Sequence, residues 1–278
     1  MSNPDNNEQE ELWNGPFGEG FIRSEEYLHK VIEPFFSIAK EKVNAKSGDC
    51  ILDVGCGCGS TSISFAESGA NVRGVDISNK MILHAKEKSK NTSNLIFDTI
   101  DASSKEFKKE YNQIFSQFGV MFFSEPYAAF SNLRKGLVES GKITFLCWQS
   151  LSENEWINCT NDALEAFMPE GVEPPDPKSP GGFAFADKEY VYDILNKSNF
   201  DNIEFQSLNA KFNMGNSIDE LMNLHLNIGP LSMLLSNLDE VEGKKATNAV
   251  RKSLESKMEE TRLQLSAAAW LVEADIRP

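Results

Sequence analysis

The sequence predicts an α/β protein with a doubly wound, mostly parallel sheet, on two observations. Five short apolar runs, Ile51 to Val54, Val72 to Val75, Leu95 to Phe97, Ile114 to Phe118 and Ile143 to Trp148, alternate with segments of helical periodicity. Strands buried on both faces read as unbroken apolar runs, and strand–helix alternation is the pattern of a parallel sheet covered on both sides. The second observation is the segment Asp53-Val54-Gly55-Cys56-Gly57-Cys58-Gly59 directly after the first run. Three glycines at alternate positions stand where a strand must turn into a helix, the place where an open α/β sheet takes its ligand.

The elements follow in order. Ser24 to Ile32 reads as an N-terminal helix capped by Ser24 and lying across the open end of the sheet. Helices between the strands are expected at Thr61 to Ser68, Lys80 to Lys88 and Pro126 to Val138, the last with proline in its first turn. After the fifth strand come a helix near Asn154 to Phe167 and a loop from Pro169 to Pro180, where five prolines crowd together. A helix near Asp187 to Lys197, a short strand around Ile203 to Leu208, helices over Ser217 to Leu238 and Val241 to Leu263, and a strand near Ala267 to Val272 complete the chain.

The 278 residues are 40% hydrophobic, enough for a full core, and carry 42 acidic against 27 basic side chains, a formal charge of -15. Without a basic cluster such a surface repels polyanions, so no nucleic-acid partner is expected. The segment Met1 to Glu11 shows neither a secretory signal nor a membrane span, and a cytoplasmic protein with no membrane partner is expected. The five cysteines, Cys50, Cys56, Cys58, Cys147 and Cys159, lack the spacing of a disulfide framework or a zinc ribbon, so reduced thiols and no metal are expected.

Glycine removes the Cβ atoms that keep a ligand from the backbone, and the N–H groups that open the next helix face that ligand. Asp76 closes the second strand, where a carboxylate can accept hydrogen bonds from both hydroxyls of a ribose. Together they point to a nucleoside site. Dinucleotide folds use Gly-x-Gly-x-x-Gly against a pyrophosphate, whereas here an acid precedes Gly-x-Gly-x-Gly. The carboxylate of Asp53 would repel a pyrophosphate and suits a ligand bearing an ammonium and a sulfonium.

Through Asp53-x-Gly55-x-Gly57-x-Gly59, Asp76 and Asp101-Ala102, the sequence resembles the class I S-adenosylmethionine-dependent methyltransferases. Trp13-Asn14-Gly15-Pro16, Phe118 to Phe123, Cys147-Trp148-Gln149, Phe183 to Asp187, Ile228-Gly229-Pro230 and Ala267 to Val272 extend the likeness. They look like a bacterial small-molecule subgroup, distantly similar to the ubiquinone/menaquinone C-methyltransferases. The resemblance implies a Rossmann-like, seven-stranded sheet with a helical cover, and S-adenosylmethionine as cofactor. It divides a single domain into an N-terminal helical lid (1–45), a cofactor-binding core (46–150) and a substrate cover with the last strands (151–278). Asp53 belongs to the glycine motif. Gly55, Cys56 and Gly57 would lie against the methionine part, and Asp76 on the ribose. Ile77 would wall the adenine, Asp101 would face its amino group with Ala102 beside it, and Gln117 and Phe118 would close the site near the methyl. The Asn-Pro-Pro pattern of the amino methyltransferases is missing after the fourth strand, which argues against DNA adenine or glutamine N-methylation.

Methyl transfer is an in-line displacement that needs positioning first and a general base only for some acceptors. Of the three histidines, His225 is the best base candidate, His29 a weaker one, and His84 reads as a surface residue. Trp148, leaving the fifth strand at its carboxyl end, could stack on a substrate or cap the core. Trp13, with Phe17 and Phe21, could fold over the site as a lid or staple the following helix. Two rival readings stand beside the enzyme: a non-catalytic S-adenosylmethionine-binding or regulatory protein, and an NAD-dependent oxidoreductase, which the glycine spacing disfavours.

Overall fold

In a computed structural model of the chain, which describes residues 6–169, 171, 176–260 and 262–277, the parallel half forms where the apolar runs place it. The strands are β1 (Cys50–Val54), β2 (Asn71–Asp76), β3 (Leu95–Thr99), β4 (Tyr111–Gln117), β5 (Leu137–Trp148), β6 (Phe200–Asn213), β7 (Met258–Glu259) and β8 (Arg262–Ile276). They follow the order β3-β2-β1-β4-β5-β8-β6, with β7 paired only to β8. The expected seven strands make up that path, and the two-residue β7 is an added hairpin arm. β1 to β5 are mutually parallel, and β8 runs antiparallel between β5 and β6. Pro174 and Pro175 of the expected proline loop lie outside the described residues. No helix among the described residues is long and apolar enough to cross a membrane.

The helices are α1 (Asn7–Asn14), α2 (Pro16–Val43), α3 (Ser60–Glu67), α4 (Asn79–Lys88), α5 (Pro126–Gly136), α6 (Glu155–Leu164), α7 (Lys188–Lys197), α8 (Ile218–Asn227), α9 (Pro230–Leu235) and α10 (Glu240–Ser256). Four expectations are corrected. Ser24 is not a cap: α2 begins at Pro16, whose fixed φ suits a first helical position, and Ser24 lies inside it. The expected helix over Ser217 to Leu238 is two helices, because Ile228 is extended and Gly229 adopts φ +86° ahead of Pro230. The helix expected to reach Leu263 stops at Ser256, and Glu260, at φ +54°, turns the chain into the β7–β8 hairpin. The last two strands are far longer than their apolar stretches. β6 is a sheet edge whose exposed polar side chains interrupt the hydrophobic run.

Since β6 and β5 both run opposite to β8, the chain leaves β6 at the carboxyl edge of the parallel strands. The α8–α10 excursion therefore starts over that edge. α6, which follows β5, packs on α10, where Ser253 Oγ donates to the Cys159 carbonyl at 2.9 Å. Helix α2 closes against this cover so tightly that a Cβ on Gly20 would sit 2.2 Å from the Asn227 carbonyl. Tyr27 adds a hydrogen bond of 2.8 Å to the Met214 carbonyl. Under α2, the rings of Phe36, Phe65 and Phe115 join helix to sheet, with Phe65 and Phe115 4.9 Å apart edge to face.

The junction of β1 with α3 is fastened by a buried charge. Asp53 has 0% exposure, and its Oδ2 accepts hydrogen bonds of 2.5 Å from both Thr61 Oγ1 and Ser62 Oγ in the first turn of α3. Burial lifts its pKa to about 6, against the opposing pull of these two hydroxyls. The folded state then holds a proton on Asp53 that the unfolded chain loses above about pH 4. This contribution to stability is complete below about pH 4 and is lost as pH rises through about 6, amounting to as much as about 3 kcal/mol. Asp53→Asn keeps an acceptor for both hydroxyls and cannot ionise. Urea unfolding at pH 4 and pH 7.5 should show the variant gaining on the wild type across that window, and a stability difference independent of pH would overturn this account.

Candidate active site

The ends of β2, β1 and β4 meet in one cradle. Gly55 and Gly57 take φ +66° and +54°. A Cβ on Gly55 would lie 2.9 Å from Gly119 Cα, so the turns after β1 and β4 touch backbone to backbone. At Gly57 the added atom would meet nothing nearer than Met81 Sδ at 3.9 Å, which leaves an open place where a ligand can approach the chain. The N–H groups of Gly55 and Cys56 both donate to the Val75 carbonyl, holding the turn against β2.

Asp76 completes the cradle. Its Oδ2 accepts from Gly57 N at 2.9 Å and its Oδ1 from Ser78 N at 2.8 Å. Burial raises its pKa, and these N–H groups act against the rise. A carboxylate has about four acceptor positions, so two remain for ribose hydroxyls. Next to it Ile77 is half-buried, with its carbonyl accepting from Asn14 Nδ2 at 3.3 Å. Asp101 closes its own turn through Ser103 N, Ser103 Oγ and Ser104 Oγ, while Ala102 is buried beside it. Across the cradle, the buried Oε1 of Gln117 has no hydrogen-bond partner. Phe118 follows in the left-handed region at φ +58°, costly for a bulky side chain and typical of sites where geometry is imposed. An open glycine position, a half-used carboxylate and an unmet amide oxygen are features a polar, nucleoside-bearing cofactor can satisfy.

Other expected residues fall differently. Asp53 is wholly buried behind the turn and works as its fastener, with only Oδ1 left unpartnered. Cys56 is buried, and its thiol is pushed well up by desolvation and by Asp53 and Asp76. Trp148 is corrected as a stacking platform: it is 7% exposed, and Phe118 lies flat on it at 4.0 Å, with Trp156, Phe35 and Phe212 around it. Its ring supports Phe118 from behind. His225 is 5% exposed on α8, its Nε2 has no partner, and burial lowers its pKa to about 4. His29 lies in a shallow groove with Phe36, Ile63 and Ser64 between α2 and α3. His84, expected free at the surface, meets Glu25 at 2.9 Å.

The N-terminal segment is a strap. At one end of α1, Asn6 Oδ1 accepts from Ser124 Oγ at 3.1 Å, in the loop after β4. At the other, Trp13 O accepts from Ser78 Oγ and Asn14 Oδ1 from Asn79 N, in the loop after β2. Because β1 lies between β2 and β4, α1 crosses above the glycine turn. The Trp13 ring packs edge-on against Phe17, Phe21 and Phe122 at 5.5, 5.1 and 5.0 Å. The contacts with Phe17 and Phe21 are those expected of a staple on the helix that follows. Sequence reasoning missed Ser78 and Gly119 as parts of the site. A serine at a strand end and a glycine after β4 were the available signals.

Comparison with known proteins agrees with this geometry. Residues 51–141 match a family model described as a methyltransferase domain. Phosphoethanolamine N-methyltransferase 1 of Zea mays is 33% identical over 106 residues, 37% of this chain and 21% of that protein. The match thus spans about a fifth of the plant relative's length. Demethylmenaquinone methyltransferase of Staphylococcus saprophyticus is 25% identical over 178 residues, covering 60% of this chain and 76% of that one. The crystal structure of the YcgJ protein from Bacillus subtilis superposes with a TM-score of 0.56 at 14% identity, covering 87% of this chain and 98% of the other. By its matched segment and the glycine turn within it, the chain carries a methyltransferase domain over residues 51–141.

Proposed function

We propose that the chain transfers a methyl group from S-adenosylmethionine to a small-molecule acceptor, releasing S-adenosylhomocysteine. The observation that carries this reading is the open position at Gly57 beside the Asp76 carboxylate, at the carboxyl edge of the sheet. The named relatives act on small molecules, phosphoethanolamine and demethylmenaquinone, in keeping with such an acceptor.

In this reading Gly55, Cys56 and Gly57 support the methionine part, and the two free acceptor positions of Asp76 take the ribose hydroxyls. Ile77 and Ala102 flank the adenine, and Asp101 receives its amino group. When bound, the cofactor supplies an electrophilic methyl on a sulfonium, a group that needs alignment with its acceptor more than activation. Alignment falls to Gln117, whose unmet Oε1 can accept a hydrogen bond, and to Phe118, pinned against Trp148. Buried aromatic walls exclude water and strengthen electrostatic interactions within. His225 is the candidate base for an acceptor that must lose a proton. Its depressed pKa keeps it neutral at physiological pH, which makes it a weak base. That weakness favours, as a second reading, a protein that binds the cofactor without turning it over, and product formation separates the two.

Calorimetric titration with S-adenosylmethionine, S-adenosylhomocysteine and NAD tests the cofactor assignment. The first two should bind and NAD should not, and binding of neither would overturn the proposal. In the same titration Asp76→Ala should weaken binding by about 1.5 to 3 kcal/mol, the range for hydrogen bonds to a charged group. Gly57→Val should abolish it by filling the open position, and wild-type affinity in either variant would sink the corresponding assignment. For His225, the discriminating variant is His225→Leu, which removes an unpartnered buried nitrogen. If the imidazole is the base, kcat should fall at least about a hundredfold with cofactor affinity unchanged. If it is only packing, kcat should hold.

A further inference from the structure

We propose that Glu25, Cys58 and His84 form a binding site for a thiophilic divalent cation of the zinc class, where the glycine turn, α2 and α4 meet. One ligand atom from each of the three, a carboxylate oxygen, a thiol sulfur and an imidazole nitrogen, lies within 4.8 Å of the others. They come from three separate elements, so the fold and not local sequence brings them together. Carboxylate, thiolate and imidazole are the ligand types zinc prefers, and three protein ligands with one open position describe a common zinc geometry.

The surroundings leave one edge of this cluster for a cation. Glu25 divides its oxygens: Oε1 accepts from Ser60 Oγ at 2.8 Å and pairs with Lys88, whereas Oε2 meets only His84 Nε2, at 2.9 Å. The ammonium of Lys88 also reaches the Cys58 carbonyl and Ser60 Oγ, each at 3.3 Å. Lys88 thus neutralises Oε1 and leaves Oε2 as the carboxylate oxygen a metal ion can take. A metal ion can replace the shared proton between Oε2 and Nε2 while Lys88 and Ser60 stay on Oε1, orienting the carboxylate from behind as outer-sphere partners do. Glu25 is largely buried, at 16% side-chain exposure, and His84 is open to solvent at 38%, which gives the ion an entry path. On binding, the Cys58 sulfur exchanges its proton for the metal, and that proton leaves to solvent. The consequence for the fold is that metal would tie α2 to the glycine turn itself.

The test is titration of the full-length protein with Cd2+, followed by the thiolate-to-cadmium charge-transfer absorbance, with Zn2+ as competitor. A single saturable site displaced by Zn2+ is expected. The signal should vanish in Cys58→Ser and persist in Cys50→Ser, which removes the most accessible of the other thiols. His84→Gln and Glu25→Gln should weaken binding at least about tenfold. Absence of the absorbance in the wild type, or its survival in Cys58→Ser, overturns the proposal. Should Cys58→Ser prove unfolded by circular dichroism, unchanged affinity in the folded His84→Gln variant overturns it equally.

Discussion

The hydrogen bond from Gly57 N to Asp76 joins the end of β2 to the turn after β1, and the geometry of the site depends on it. Parallel registers pair Val54 with Val75 and Asp53 with Phe115, so both neighbouring strands end level with β1. A turn at this point is surrounded on both sides by backbone. It can pass only because Gly55 and Gly119 face each other without side chains. Removing water from Asp76 costs free energy, and the N–H groups of Gly57 and Ser78 return part of that cost as charge-assisted hydrogen bonds. The result is a carboxylate held in place before any ligand arrives, with acceptor capacity to spare.

Asp53 shows the same economy turned inward. Both acids stand at a strand end beside a glycine turn, and the sequence points both at the ligand, Asp53 at an ammonium and a sulfonium and Asp76 at the ribose. Their environments separate them. Asp53 points beneath the turn into the first residues of α3, where Thr61 and Ser62 consume one oxygen, while Asp76 borders the cradle. The acid that opens the glycine motif thus acts on the ligand site by fixing the turn's path.

The parallel half was legible in the sequence because strands buried on both faces leave unbroken apolar runs, as at Ile51 to Val54 and Ile114 to Phe118. The edge strand β6 was shortened because its exposed positions are polar, as at Glu204, Gln206 and Lys211. Its length is set by pairing with β8, a contact between residues more than fifty positions apart. The Gly229-Pro230 break was written in the sequence, but the helical periodicity on both sides concealed it. In the site, the glycine turn and Asp76 could be read because their chemistry is local. The burial of Trp148 behind Phe118 and the convergence of Glu25, Cys58 and His84 could not, since each joins elements distant along the chain.

Two layers cover the cradle, and they are held with unequal strength. Helix α2 buries Val31, Phe35, Phe36 and Ala39 and is locked at Gly20 against the Asn227 carbonyl, so lifting it would expose core. Helix α1 has no fully buried residue, and its contacts include hydrogen bonds of Trp13 and Asn14 to the loop after β2 and the Trp13 ring against Phe17, Phe21 and Phe122. The nearby Glu19–Lys80 pair belongs to α2 and is exposed, so solvent screens it. A hydrogen bond contributes about 1 kcal/mol net, so α1, with no fully buried residue, draws less on core burial for its place than α2 does. The bend between the two helices is Gly15, which is extended. The sheet and its two carboxylates thus lie beneath a cover whose inner layer is part of the core and whose outer layer is not.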